Sequence, residues 1–395
     1  MSVAGRITGI AVGAVAAAAL GGAAVATATV NRRRREIEHR EPEVSEDRAD
    51  VAAAGTPLGS LRAPTRTIFT TDGVPLHVEV DEVDDVAEVG PARGVDGGGG
   101  TAAILGTAAE VPVTLVFAHG YALTLDCWHF QRAAYRGLVR SVYYDQRSHG
   151  RSGRSDAAHS TIDQLGEDLL SVLDAVVPDG PVVLVGHSMG GMTIIALAER
   201  HPELFAPLAD GGRIVGAALI STTAGGLDVG RILLPLAPAH LGGTIATGAV
   251  RTLGRGHRAV DGVRRFGHSI ATVATDAYAF GKQVPAEYVE FVDGMLSATP
   301  FQVVADFFPT FGALDKFDRI GALARVPTTI ICGTADRLTS IGHARKLAAS
   351  VPGSRLVECP DAGHMVIMEC HAQVNAALDH LLAAVTDADP GGGDG

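Results

Sequence analysis

Two kinds of segment alternate between residues 113 and 386. Short, almost uninterrupted apolar runs recur at VTLVFAHG (113–120), LVRSVYYDQ (138–146), PVVLVGHS (181–188), IVGAALIST (214–222) and VPTTIICGTADR (326–337), with a shorter one at SRLVECP (354–360). Between them lie segments of helical character at 126–136, 161–177, 192–202, 341–350 and about 366–385. Thr161 stands beside an Asp at the start of the second of these, as a helix cap does. Apolar strands separated by helices predict a mostly parallel sheet covered on both faces. Ahead of this region, RTIFTTDGVPLHVEV (66–80) reads as a hairpin about a Thr-Asp-Gly-Val turn.

The alternation is interrupted twice. Residues 81–111 are acidic, contain the run Gly97 to Gly100, and read as a flexible surface excursion. From Ala224 to Asp315 no strand is convincing, and helical stretches mix with Gly, Ala, Arg and aromatic residues. This block is an expected helical cap, inserted at the carboxyl edge of the sheet, where open α/β sheets bind ligands. Its clusters Ile232-Leu233-Leu234 and Phe307-Phe308 either line an apolar pocket or pack the cap onto the core.

The N-terminus follows another pattern. Residues 7–30 carry no charge, and Arg32 to Arg35 follow at once. A helix of that length covers about 36 Å, enough for a bilayer core of about 30 Å. A membrane anchor with the arginines on the cytoplasmic side fits the positive-inside rule. A cleavable signal ending near Ala26-Thr27-Ala28, which would make the protein secreted or cell-envelope, and an Ala-rich tail are the alternatives. Residues 32–65 read as a polar linker, and 387–395 as a disordered tail.

Composition narrows the function. The chain has 395 residues, 47% of them hydrophobic, which is enough for a substantial core. A net charge of −12 argues against nucleic acid as a partner. Cys127, Cys332, Cys359 and Cys370 are far apart and form no C-x-x-C, so neither a metal site nor a disulfide framework is expected, and no cofactor is called for.

The candidate chemistry lies at the strand ends. GHSMG (186–190) is a G-x-S-x-G pattern between a predicted strand and a predicted helix, the context of a nucleophile elbow with Ser188 at its tip and Gly186 and Gly190 on its flanks. A serine needs a base to take its proton and an acid to orient that base. His364, in DAGHM, and Asp336, in GTADR, follow the last two predicted strands, in the order Ser, Asp, His. Asp361 is the rival acid, being near His364 in sequence. The oxyanion donors expected are the backbone N–H groups of Met189 and of Tyr121, the latter after His119-Gly120.

These motifs together resemble the α/β-hydrolase superfamily, in its capped, lipase/esterase-like branch. HGYALTLDCW (119–128) is similar to the family's oxyanion loop and YDQRSHGRS (144–152) to its Asp-x-Arg-Gly-x-Gly-x-Ser segment, with Ser148 in place of the first Gly. The resemblance covers about residues 66–386, and divides the chain into a core at 66–223 and 316–386 with a cap at 224–315. It implies a serine hydrolase cleaving small-molecule carboxylic or lipid esters through an acyl-enzyme. A thioesterase or a cofactor-free perhydrolase would use the same residues, and a non-catalytic binding protein is the remaining alternative. Dehalogenases and epoxide hydrolases of this superfamily carry Asp at the Ser188 position. His149 and His187 are expected to be structural, and Trp128 either lines the acyl pocket or sits in the core.

Overall fold

A computed structural model describes residues 32–40, 56–84, 112–227 and 275–387. They build one eight-stranded sheet: β1 (Thr65–Phe69), β2 (Pro75–Asp81), β3 (Thr114–Ala118), β4 (Ser141–Tyr144), β5 (Val182–His187), β6 (Ile214–Ile220), β7 (Thr328–Gly333) and β8 (Arg355–Cys359). The spatial order is β1-β2-β4-β3-β5-β6-β7-β8. β2 pairs antiparallel with β1 and β4, and every other pairing is parallel. The α/β class and the mostly parallel sheet expected from the alternation are therefore present.

The central strands are apolar throughout because both faces are covered. In β3, Leu115 and Phe117 enter one core while Val116 and Ala118 enter the other. Val183 and Val185 of β5 divide from Val182 and Leu184 in the same way. This two-residue period assigns each side chain to a helical layer, and each fully buried Val or Leu stabilises the fold by about 1.5–3 kcal/mol. One layer holds α1 (His129–Tyr135) and α7 (His371–Asp387); the other holds α2 (Ile162–Val176) and α3 (Met189–Arg200). Thr161 caps α2, its hydroxyl accepting the N–H of Gln164 at 3.1 Å.

The described part of the insertion is helical, with α4 (Ala286–Ala298) and α5 (Phe301–Ala313), while residues 228–274, including Ile232-Leu233-Leu234, lie outside the described residues. The insertion leaves and rejoins the core at one point. Gly225 bridges Asp315 antiparallel, and Lys316 N–H donates to the Ala224 carbonyl at 2.8 Å. After it comes α6 (Ile341–Ser350).

Several boundaries differ from the sequence reading. Asp81, assigned to the surface excursion, ends β2 in a buried position, because Arg132 reaches it with two hydrogen bonds of 2.8 Å. The final helix is broken: Val366–Glu369 forms a separate helical turn, and Cys370 (φ −131°, ψ 41°) leaves helical geometry before α7. Inside the expected polar linker, residues 32–38 are helical and Ile37 is buried in the core. Arg40 pairs there with Asp276 of the cap at 2.6 Å. Among the described residues no helix is long and apolar enough to cross a membrane; the anchor expected at 7–30 lies outside them, as do most of the excursion (85–111) and the tail.

Candidate active site

Ser188 separates β5 from α3 and adopts φ 53°, ψ −116°, a conformation that costs an L-residue on the order of 1–3 kcal/mol. The neighbours are glycine because backbones pass too closely for anything else. A Cβ on Gly190 would sit 1.9 Å from the Ala118 carbonyl oxygen, and one on Gly186 would sit 2.5 Å from that of Gly190. Ser188 is further fixed by its N–H to the Ile220 carbonyl (2.8 Å) and by Thr222, whose hydroxyl donates to the Ser188 carbonyl at 2.7 Å. Because the Gly190 contact is with rigid backbone, Gly190→Ala is expected to destabilise the fold by about 3 kcal/mol. Urea unfolding measures this directly, and an unshifted midpoint would show that the elbow yields freely.

The turn brings Ser188 to the loops that follow β7 and β8. Its Oγ lies 2.9 Å from Nε2 of His364, and Nδ1 of His364 lies 2.9 Å from Oδ2 of Asp336. All three residues are buried. A carboxylate facing Nδ1 places the ring proton there and leaves Nε2 as the acceptor. Asp336 is itself held firmly: Oδ1 accepts the N–H groups of Leu338 (2.8 Å) and Thr339 (2.9 Å), and Oδ2 accepts the Thr339 hydroxyl (2.9 Å). Burial pushes its carboxyl up, but the His364 ring and these donors outweigh burial and hold it below its ordinary value. Asp361 is exposed, at φ 59°, and its N–H goes to the Thr334 hydroxyl.

The sequence-predicted residues thus converge. Gly120 and Tyr121 line the same cavity as Ser188 and His364, and Met189 opens α3, in the first turn, where N–H groups have no intrahelical acceptor. The Tyr121 hydroxyl donates to the Val304 carbonyl, and its ring meets Phe311 edge-on at 4.8 Å. Trp128 does not line the cavity; it is fully buried against Phe117, with ring centres 5.1 Å apart. The adjacent Phe307 and Phe308 of α5 separate, Phe307 into the core and Phe308 onto the cavity wall.

The cavity measures about 170 Å³. Leu123, Met192, Val292, Leu296, Phe308 and Phe311 form much of its wall, and no Asp, Glu, Lys or Arg is among the described residues that line it. Among the described residues no group of three or more His, Cys, Asp or Glu is placed to hold a metal ion.

Three supporting residues were missed or underread. His187 does more than fill space: its Nε2 donates to the His364 carbonyl at 2.9 Å, tying the elbow to the histidine loop. Burial, reinforced by His364, pushes the His187 ring down to about 3, so it stays neutral. Thr339 stands three residues after Asp336, a spacing suited to a local side-chain bond. Glu369 carried no signal in the sequence. The segment around Ser148 ties the end of β4 to α2 and to the turn between β1 and β2. Ser148, in place of the resembled segment's Gly, takes a left-handed φ of 65°, and Arg147 is buried between Asp168 (2.5 and 2.6 Å) and Asp72 (2.9 and 3.0 Å).

A profile of the alpha/beta hydrolase family matches residues 115–377. The chain belongs to this family. The hydrolase is 25% identical over 269 residues to the dihydrolipoyllysine-residue acetyltransferase component of the acetoin cleaving system of Pseudomonas putida, covering 67% of this chain and 62% of that protein. It thus spans less than two thirds of that relative's length. A thermophilic esterase from Thermogutta terrifontis superposes with a TM-score of 0.58 at 24% identity, covering 82% of the hydrolase and all of the esterase. The enol-lactonase from Burkholderia xenovorans gives 0.57 at 23% identity, covering 81% and 99%. At these identities the likeness of the solved structures is one of fold.

Proposed function

We propose that this hydrolase cleaves neutral carboxylic esters through a covalent acyl-enzyme on Ser188. The observation that carries the reading is the unbroken path of hydrogen bonds from Ser188 through His364 to Asp336, each 2.9 Å long, at an apolar cavity. Ser188 Oγ attacks the ester carbonyl as His364 Nε2 takes its proton. Negative charge collects on the carbonyl oxygen, where the N–H groups of Met189 and Tyr121 are the donors. His364 returns the proton to the departing alcohol. Water then repeats the sequence on the acyl-enzyme, freeing the acid and restoring Ser188. Asp336 keeps Nδ1 protonated and stabilises the imidazolium in both halves.

The described wall, which carries no Asp, Glu, Lys or Arg, favours acyl groups without a charge of their own, since an unpaired ion there would lose its hydration without compensation. Two assays test the reading: covalent labelling by a fluorophosphonate, and turnover of a graded panel of acyl esters with matched thioesters. Absence of labelling in the folded protein would overturn it.

The anchor reading for residues 7–30 accompanies this proposal, with the catalytic region on the cytoplasmic side. Moving Arg32 to Arg35 through a bilayer would be costly, which favours that orientation. Deleting residues 1–31 is expected to move the activity from the membrane fraction to the soluble one. Full-length enzyme that is soluble before any deletion, or released into the medium with Thr29 at its N-terminus, would refute the anchor.

A further inference from the structure

Glu369 follows His364 by five residues, at the end of the helical turn Val366–Glu369, and is buried. Both carboxylate oxygens are used, and among the described residues every hydrogen-bond partner is a backbone N–H. Oε1 accepts from Gly363 at 2.7 Å; Oε2 accepts from Gly281 at 3.0 Å and Lys282 at 3.3 Å. Among the described residues Glu369 makes no ion pair. Burial pushes its carboxyl up to about 7, against the downward pull of these donors. A buried carboxylate without a counter-ion is a costly group to keep unless its bonds hold something in place.

What they hold is the loop carrying His364. Gly363 precedes that histidine, and its N–H ends on Glu369. Met365 follows it, and its N–H donates to the Ala279 carbonyl at 2.8 Å. The His364 carbonyl accepts from His187. The cap segment and this loop also touch backbone to backbone: a Cβ on Gly363 would lie 2.3 Å from the Gly281 nitrogen, and one on Gly281 would lie 2.3 Å from the Asp361 oxygen. One carboxylate therefore joins two backbones that have no room between them.

We propose that Glu369 is a positioning residue: by sharing its carboxylate between Gly363 and the Gly281–Lys282 segment, it locks the His364 loop to the cap and sets Nε2 within reach of Ser188 Oγ. The proposal rests on the reading of Ser188, His364 and Asp336 given above. In Glu369→Gln one acceptor oxygen becomes an NH2 group, so a donor must face a donor at Gly363 or at the Gly281–Lys282 pair. The loop loosens while the cavity wall keeps its residues. A displacement of the order of 1 Å between base and nucleophile costs about 10- to 100-fold in rate.

The experiment measures kcat and KM on a short-chain nitrophenyl ester, the rate constant for fluorophosphonate labelling and the thermal midpoint, for wild type and Glu369→Gln. A fall in kcat of about 10- to 100-fold, with KM nearly unchanged and labelling slowed in parallel, is the expected result. The downfield proton signal of His364 Nδ1–H, identified by its loss in Asp336→Asn, should also shift. Unchanged kcat and labelling beside a lowered thermal midpoint would overturn the positioning role and leave the esterase reading standing. Wild type that neither turns over esters nor labels would overturn both. If Glu369→Gln does not fold, Glu369→Asp, which keeps the acceptors one methylene short, replaces it with the same readouts and the same deciding outcomes.

Discussion

Ser188→Ala is expected to lower ester turnover by roughly 10⁴-fold or more and to abolish fluorophosphonate labelling while the protein stays folded. Alanine has the same backbone preferences as serine at φ 53°, so the elbow loses only the hydroxyl. The bonds that fix the turn, from the Ser188 N–H to Ile220 and from Thr222 to the Ser188 carbonyl, use main-chain atoms and survive. A factor of 10⁴ is about 5.5 kcal/mol of barrier, more than any single hydrogen bond in the site supplies, because removing the nucleophile removes the covalent route. Labelling that persists in the variant would place the nucleophile elsewhere.

Asp336→Asn should be nearly as damaging, about 10⁴-fold in kcat. Oδ1 of Asp336 accepts two backbone N–H groups, so the amide oxygen of the asparagine is drawn to that side. Its NH2 group then faces Nδ1 of His364. A donor there makes Nδ1 the acceptor and moves the ring proton to Nε2, which can no longer take a proton from Ser188. Asp361→Asn is the control, and it is expected to retain activity because that carboxylate stands exposed and apart from the histidine ring. Kinetics on the two variants settle the matter: an active Asp336→Asn beside a silent Asp361→Asn would exchange the roles.

The parts of this molecule that were legible in the sequence are those where one residue type is forced by its surroundings. β3 and β5 could be read because both of their faces are buried, leaving no polar position to disguise them. Gly186 and Gly190 could be read because a Cβ at either would collide with main chain. Asp336 and His364 followed from chain order and from their placement beyond strands. What stayed hidden depends on contacts between distant segments. Ile37 is an isolated apolar residue among charges, and only the fold shows that it enters the core. Glu369 has the look of any helical glutamate, since its partners at Gly281 and Gly363 are main-chain groups that leave no trace in side-chain identity. The break at Cys370 lacks Gly or Pro, the usual punctuation.

The closure of the insertion at Gly225 and Asp315 makes the cap a cassette. Its two ends are already held together by the bridge and by the bond between Lys316 and Ala224, so the chain leaves and re-enters the core through one short clasp. Lengthening such a closed excursion adds little entropy cost, about 0.6 kcal/mol for a doubling of its residues. The proposed chemistry and its selectivity are thereby placed on different segments of the chain, which meet at Glu369. Ser188, Asp336 and His364 belong to segments that cannot drift without breaking the sheet, whereas Val292, Leu296, Phe308 and Phe311 sit on cap helices whose side chains can be exchanged while the contact of Gly281 and Lys282 with the His364 loop is kept, so on the proposed reading new acyl preferences can arise without reinventing the nucleophile.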